Sequence, residues 1–233
     1  MTEAQTMLHR SREKKGETTS FTAWLIKCIA QAVSEDKRVQ AYRKGKHLFV
    51  FEDVDVAFVM DRASDSGEMV ANAIMRKADE KSLETIHQEI RIAQQEKPVH
   101  GTSVGESEEA RLAGRLQSLP GFVRRLGVWW YGRNPELRKR AQGTVGITSV
   151  GNILGTSSSM WGCPIATGMF PLMFGISGIA RKPGIVGDQI LARDYLSMSI
   201  MFDHYAVDGA EAARFLKRLG ELFTCAYGID RLD

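Results

Sequence analysis

The chain has 233 residues, 43% apolar and 25% charged, which is the balance of an ordinary soluble globular protein with enough chain to bury a sizeable core. Its formal net charge of +3 is too mild to argue for nucleic acid and suits a small anionic ligand equally well. The three cysteines, Cys28, Cys163 and Cys225, lie far apart with no Cys-x-x-Cys pair; this argues against zinc and a disulfide framework, and for a reducing cytoplasm.

Residues 2–15 pattern as a polar helix without the apolar stretch of a secretory signal, and Gly16 with the run Thr18-Thr19-Ser20 ends it. Residues 21–34 predict the clearest helix. Phe21, Leu25, Cys28, Ile29 and Ala32 recur at helical spacing, Trp24 and Ile26 widen the stripe, and Ser20 caps it. Residues 48–51, 54–60 and 69–75 predict strands. Asp79 is placed to cap a helix running to about Gln95, with Leu83, Ile86, Ile90 and Ile92 on its apolar side. Residues 106–117 predict another helix, weakened by Gly114.

Residues 119–140 form an unusual insertion that mixes Phe122, Val123, Leu126, Val128, Trp129, Trp130 and Tyr131 with Arg124, Arg125, Arg133, Arg138, Lys139 and Arg140. Three roles fit. The ordinary one is a packed helical insertion with snorkelling arginines. A subunit contact is the second and a membrane-surface helix the third; the expectation is the first, without membrane contact. Residues 141–180 carry no charged side chain, but Pro164, Gly168, Pro171, Gly175 and Gly178 interrupt them, so they read as buried strand, turn and strand rather than a membrane span. Residues 144–150, 173–179, 189–194 and 195–202 predict strands, and 210–227 the last helix. Intermixed strands and helices give one α/β domain over residues 1–233, with a polar N-terminal segment at 1–19 and no internal repeat.

Two stretches can carry chemistry. His204-Tyr205-Ala206-Val207-Asp208-Gly209 lies between an apolar strand and an amphipathic helix, where reactive groups reach ligands. A neutral imidazole accepts a proton near neutral pH. Asp208 can neutralise or orient its surroundings, and Gly209 permits a tight start to the helix. The plainer alternative is a surface histidine followed by a helix-capping aspartate. In Thr144-Val145-Gly146-Ile147-Thr148-Ser149 small and hydroxyl residues cluster, and a hydroxyl aimed at a forming oxyanion stabilises a tetrahedral intermediate. The plainer alternative there is a strand using threonine for β-propensity. Cys163 reads as a buried, inert thiol, and His9, His47, His87 and His100 as solvated.

In order and surroundings these stretches resemble the catalytic domain of the dihydrolipoamide acyltransferases of 2-oxoacid dehydrogenase complexes, within the chloramphenicol acetyltransferase-like superfamily. The family's Asp-His-Arg-x-x-Asp-Gly-Ala stretch is similar to Asp203-His204-Tyr205-Ala206-Val207-Asp208-Gly209-Ala210, followed by Ala213-Arg214-Phe215-Leu216. Its Thr-Ile-Ser strand resembles Gly146-Ile147-Thr148-Ser149-Val150-Gly151, and its paired-glycine strand resembles Met173-Phe174-Gly175-Ile176-Ser177-Gly178-Ile179. Upstream, Arg76-Lys77-Ala78-Asp79-Glu80-Lys81-Ser82-Leu83 matches as well, so the likeness runs collinearly from about Phe21 to Phe223. Tyr205 stands where the family commonly has arginine, and Gly146 where it usually has threonine.

The resemblance implies a mixed sheet packed with helices in a two-layer sandwich. It implies an acyltransferase moving an acyl group between coenzyme A, as substrate, and a thiol carrier such as dihydrolipoamide, without a metal. His204 is then the general base and Thr148, from a neighbouring subunit, the oxyanion donor. Ser149 and Gly209 support the site, and Asp208 is held by Arg10 or Arg12. The implied assembly is a homotrimer, with a larger cubic cage in reach. No lipoyl domain precedes the catalytic region, so the implied lipoyl carrier is a separate protein; neither nucleic acid nor a membrane is an expected partner. Two alternatives remain open: a small-molecule O-acetyltransferase, because related antibiotic-modifying enzymes share His-x-x-x-Asp-Gly, and a non-catalytic scaffold or cage protein of the same fold.

Overall fold

The computed structural model describes residues 20–64, 67–95, 120–149, 162, 165 and 170–229. Helix α1 (Phe21–Glu35) leads through a short 3-10 turn (Lys37–Gln40) to a small hairpin of β1 (Tyr42–Lys44) and β2 (His47–Phe49). There follow β3 (Val56–Ser64), β4 (Gly67–Met75), α2 (Leu83–Gln95), α3 (Gly121–Arg133), α4 (Pro135–Gln142), β5 (Val145–Ser149), β6 (Leu172–Val186), β7 (Gln189–Phe202) and α5 (Gly209–Thr224). Five strands form one mixed sheet in the order β4-β3-β5-β6-β7. β5 runs parallel to both neighbours, and the two outer pairs are antiparallel.

The apolar face of α1 explains the layering. Trp24, Ile26, Ile29 and Val33 are fully buried and share one core with Val56, Phe58, Val145, Ile147, Leu172, Phe174 and Ile176 of the sheet and with Phe215, Leu219 and Leu222 of α5. α1 also packs against α2 and α5, so the helices lie on one face of the sheet and the α/β two-layer sandwich expected from the sequence is present. The Ser20 hydroxyl caps α1 by accepting from Ala23 N, as predicted, while Ser20 N donates to His87 Nδ1 at 3.2 Å. His87 is therefore engaged by the N-terminus of α1 rather than merely solvated. Burial pushes the Cys28 thiol far above its ordinary pKa, which makes it inert packing.

Several boundaries differ from expectation for local reasons. Asp79 does not cap α2; its carboxylate accepts from Val54 N, and Ser82 accepts from Thr85 N at the actual helix start. The two strands predicted at 189–194 and 195–202 are a single β7, paired throughout with a β6 that extends seven residues beyond Ile179. The two-residue Gly187-Asp188 turn, with Gly187 at φ +59°, joins them as a hairpin. The register shifts by one between Ile176 and Ile179, the mark of a β-bulge, at the Ser177-Gly178 pair.

The insertion also departs from expectation. It is helical, as α3 and α4, but α3 buries none of its residues. Phe122, Leu126, Val128, Trp129 and Trp130 are all more than half exposed, so it is not packed into this chain's core. The expected helices at 2–15 and 106–117, Cys163, His9 and His100 lie outside the described residues. Among the described residues no helix is long and apolar enough to cross a membrane.

Gly146 has a direct steric reason. A Cβ built there would lie 2.6 Å from the Phe170 ring, so the aromatic ring occupies the space of the side chain that the resembling family carries. Gly146→Thr is expected to destabilise the protein by about 2 kcal/mol through overpacking. The same substitution should cost clearly less in a Phe170→Ala background, measured as denaturation midpoints of the four proteins.

Candidate active site

The chain leaves β7 at Phe202 and turns through Asp203, His204 and Tyr205 before α5 begins. Asp203 N donates to Pro171 O at 2.8 Å, while Ala206 N and Val207 N both donate back to Asp203 O. Ala206 and Val207 are buried in the core. The backbone on both sides of His204 is thus tied down, and the imidazole itself is exposed. Tyr205, also exposed, lies under the guanidinium of Arg43 of β1, 3.8 Å from ring centroid to Cζ. The arginine missing from the chain after His204 is met in space by one arriving from a different strand.

Asp208 is the N-cap of α5. Its carboxylate accepts from Glu211 N at 2.8 Å, and the Glu211 carboxylate accepts from Asp208 N at 3.2 Å, a complete capping box. Arg38 extends the box by pairing with Glu211 at 2.5 Å. The hydrogen bond from Glu211 N, with further help from Ala210 N and the Arg214 and Arg38 charges, holds the Asp208 carboxyl below the usual carboxylate range. The plainer alternative for Asp208, a helix-capping role, is therefore present; Arg10 and Arg12, its expected partners, lie outside the described residues. Asp208-x-x-Glu211 is a capping-box signature legible in sequence, whereas Arg38 and Arg43 come from remote segments. Gly209 does not have the expected conformational role. It is absent from the positive-φ residues, and a Cβ there would meet nothing within 4 Å, so the start of α5 does not require glycine.

Thr148 lies on the face of the sheet opposite α1, α2 and α5. Val145 and Ile147 point into the core, and strand alternation sends Gly146 and Thr148 the other way. In register Thr148 is beside Gly175, which is beside Ser199, so a row of small and hydroxyl residues crosses three strands on the face opposite α1, α2 and α5. Ser149, the last residue of β5, alternates to the other face. Phe202 pairs with Leu172, and Leu172 with Val145, three residues along the strands from the Thr148 row. Those steps amount to about 10 Å along the sheet and about 10 Å across it, so one copy keeps the Thr148 hydroxyl and the His204 imidazole out of hydrogen-bond reach. The two groups meet only if a second copy supplies one of them.

The capping carboxylate gives a pH signature. Because the folded-state pKa of Asp208 is lowered, its stabilisation is complete above the unfolded value of about 4 and fades as pH falls through the folded value. Asp208→Ala should lower the thermal midpoint at pH 7, Asp208→Asn should lower it less, and the gap between wild type and Asp208→Asn should close on acidification to about pH 2.

Comparison with known proteins places the chain. The family model for the 2-oxoacid dehydrogenases acyltransferase (catalytic domain) matches residues 1–107 and 136–226. A dihydrolipoyllysine-residue acetyltransferase component of pyruvate dehydrogenase complex from Cupriavidus necator is 26% identical over 217 residues, 92% of this chain and 32% of that protein. The corresponding component from Acholeplasma laidlawii is 33% identical over 102 residues, 44% of this chain and 18% of that protein. The chain thus spans a third or less of the length of these curated relatives. Among solved structures, the Azotobacter vinelandii dihydrolipoamide acetyltransferase, studied for the catalytic roles of a serine, a histidine and an asparagine, superposes with a TM-score of 0.64 at 24% identity over 98% of this chain and 79% of that one. The cubic core of a pyruvate dehydrogenase multienzyme complex superposes equally well, at 22% identity and the same two coverages. A chloramphenicol acetyltransferase gives a TM-score of 0.52 at 10% identity over 92% of this chain and 81% of that one. These structural likenesses establish the chloramphenicol acetyltransferase-like fold, and the profile match, which takes in both His204 and Thr148, shows that the chain belongs to the family of 2-oxoacid dehydrogenase acyltransferase catalytic domains.

Proposed function

We propose that the protein is a coenzyme A-dependent acyltransferase that moves an acyl group between coenzyme A and a thiol carrier such as dihydrolipoamide. The observation that carries this reading is the exposed His204 on a turn fixed at both ends, in a chain of this family whose Thr148 stands apart on the sheet face opposite α1, α2 and α5. The imidazole takes the proton of the attacking thiol, and the thiolate adds to the thioester carbonyl. The Thr148 hydroxyl of a neighbouring copy donates to the oxyanion. The second sulfur then departs and takes the proton back from the imidazolium.

Asp208 supports the step by fixing the turn that presents His204. Its position, four residues after the histidine, corresponds to the histidine–asparagine spacing studied in the Azotobacter vinelandii enzyme. In this reading Arg10 or Arg12 adds a further hold on it. Because one copy separates the two reacting groups, the working form is an oligomer; the family resemblance makes it a homotrimer, and the cubic-core likeness supports a cage of such trimers. In this reading a lipoyl-carrying protein is the partner that brings the thiol, in a cytoplasmic setting where the exposed Cys225 stays a thiol. The chain functions as one catalytic domain carrying the insertion that includes α3.

His204→Ala and Thr148→Ala test the reading. Thr148→Ala should lower kcat for acyl transfer from acetyl-coenzyme A to dihydrolipoamide by about 100-fold. His204→Ala should lower it by at least as much. Unfolding the two inactive proteins together and refolding them as mixed trimers should restore about a quarter of wild-type activity, the statistical share of interfaces with both groups intact. Absence of any gain on mixing would mean that the two groups do not meet across copies, and full activity of His204→Ala would remove the mechanism.

A further inference from the structure

α3 (Gly121–Arg133) presents a face that nothing among the described residues covers. Its half-buried residues are Val123, Gly127 and Tyr131, spaced by four along the side that meets the body. Tyr131 anchors that side, its hydroxyl donating to Gln142 Oε1 at 2.9 Å, and Gln142 Nε2 donates in turn to the buried Tyr42 hydroxyl at 2.8 Å. Phe122, Leu126, Trp129 and Trp130 fall within about 100° of arc on the outward side. They are 76%, 63%, 56% and 56% exposed, and burial of such a set is what a partner ordinarily provides.

The charge around this face identifies the partner. No aspartate or glutamate occurs from Pro120 to Pro135, and in sequence the acid-free run reaches back to Ala110. Arg125 borders the apolar arc on the helix wheel. Arg133 rises within the arc, its guanidinium 4.7 Å above the Trp129 ring. α4 behind it is bound to the body through Lys139–Asp53 at 2.8 Å and Arg138 over Tyr42, so the platform is firm. The segment also falls outside the residues that match the family, whose shared contacts therefore do not account for it. A convex single helix with tryptophans and a phenylalanine on one side, arginines among and beside them and no acid suits the headgroup level of an anionic bilayer. At 13 residues it is about 20 Å long, enough to lie in the interface and too short to span it.

We propose that α3 is a membrane-surface anchor that seats the protein on anionic lipid, with Phe122, Leu126, Trp129 and Trp130 in the interface and Arg125 and Arg133 against the headgroups. This takes the third of the roles open to the insertion and is independent of whether His204 transfers acyl groups.

The test is co-sedimentation of the full chain with vesicles of phosphatidylcholine alone and of phosphatidylcholine with 30% phosphatidylglycerol, the latter a composition chosen at roughly the anionic fraction that gives a strong surface potential. Binding to the anionic vesicles is expected at least 10-fold tighter than to neutral ones, weakened several-fold by 0.5 M salt as screening requires, with a blue shift of tryptophan emission. Leu126→Ser with Trp129→Ser should abolish binding, and Arg125→Gln with Arg133→Gln should weaken it about 10-fold. Unchanged thermal midpoints and acyl-transfer rates would show that both variants fold. Failure of the wild-type chain to bind, or equal binding by the Ser variant, overturns the proposal. A Ser variant that instead breaks up the assembly, with no vesicle binding by wild type, also overturns it and assigns the face to a second copy.

Discussion

The buried carboxylate of Asp55 is the point on which the active half of the sheet depends. It accepts from Arg76 Nη1 at 2.9 Å and from Lys77 N at 3.0 Å, and the backbone carbonyl of the same residue accepts from Thr144 N and Val145 N. Lys77 has the left-handed backbone that a lysine rarely adopts, φ +49°, and its bond to Asp55 offsets that strain. Arg76 reaches onward to the last carbonyls of α4, at Lys139 and Arg140. The Thr144 hydroxyl donates to Gln40 at 2.6 Å and accepts from Asp55 N. One nearly inaccessible charge thus gathers the ends of β4 and α4 and the starts of β3 and β5. Such a charge holds only when fully partnered, so the junction is specified as a unit.

The consequence for the site is positional. β5 has only five residues and is parallel to both neighbours, so its register cannot be set by a tight turn and must come from its ends. Gly143 reinforces this. It has φ +80°, and a Cβ would sit 2.7 Å from Asp55 O, so the close approach of the two chains there demands glycine. With Val145 fixed, alternation places Thr148 on the face opposite α1, α2 and α5 and Ser149 on the other. The same sheet fixes Phe202 opposite Leu172, and from that anchor the His204 turn projects beyond the strand end.

The separation of Thr148 from His204 links fold to assembly. A site built within one chain would bring its groups together by packing; here the sheet holds them apart by its own strand spacing. On the proposed mechanism, catalysis by this pair is a property of the oligomer. The exposed α3 sits outside this logic. It hangs on the body through Tyr131, Gln142 and Tyr42, so the insertion exposes its apolar side without disturbing the sheet.

Much of this was legible in the residues alone. The helical stripe of α1, the Ser20 cap, the strand nature of β3, β4 and β5, and the placement of His204 between an apolar strand and an amphipathic helix all follow from local periodicity and local chemistry, which sequence encodes directly. Other features were not legible because they depend on segments distant in the chain. Asp79 has the composition of a cap, yet its oxygen is taken by Val54; Arg43 supplies the guanidinium beside Tyr205 from across the structure; Phe170 fills the space over Gly146. Whether the apolar side of α3 faced a core was likewise undecidable from its pattern, since an amphipathic helix looks the same whatever covers it. The sequence by itself determined most of the described elements, their order and which side chains are candidates for chemistry. Only the tertiary structure decided which face of the sheet Thr148 occupies, how far it lies from His204 and what remains uncovered, because those are set by pairing registers between strands far apart in sequence.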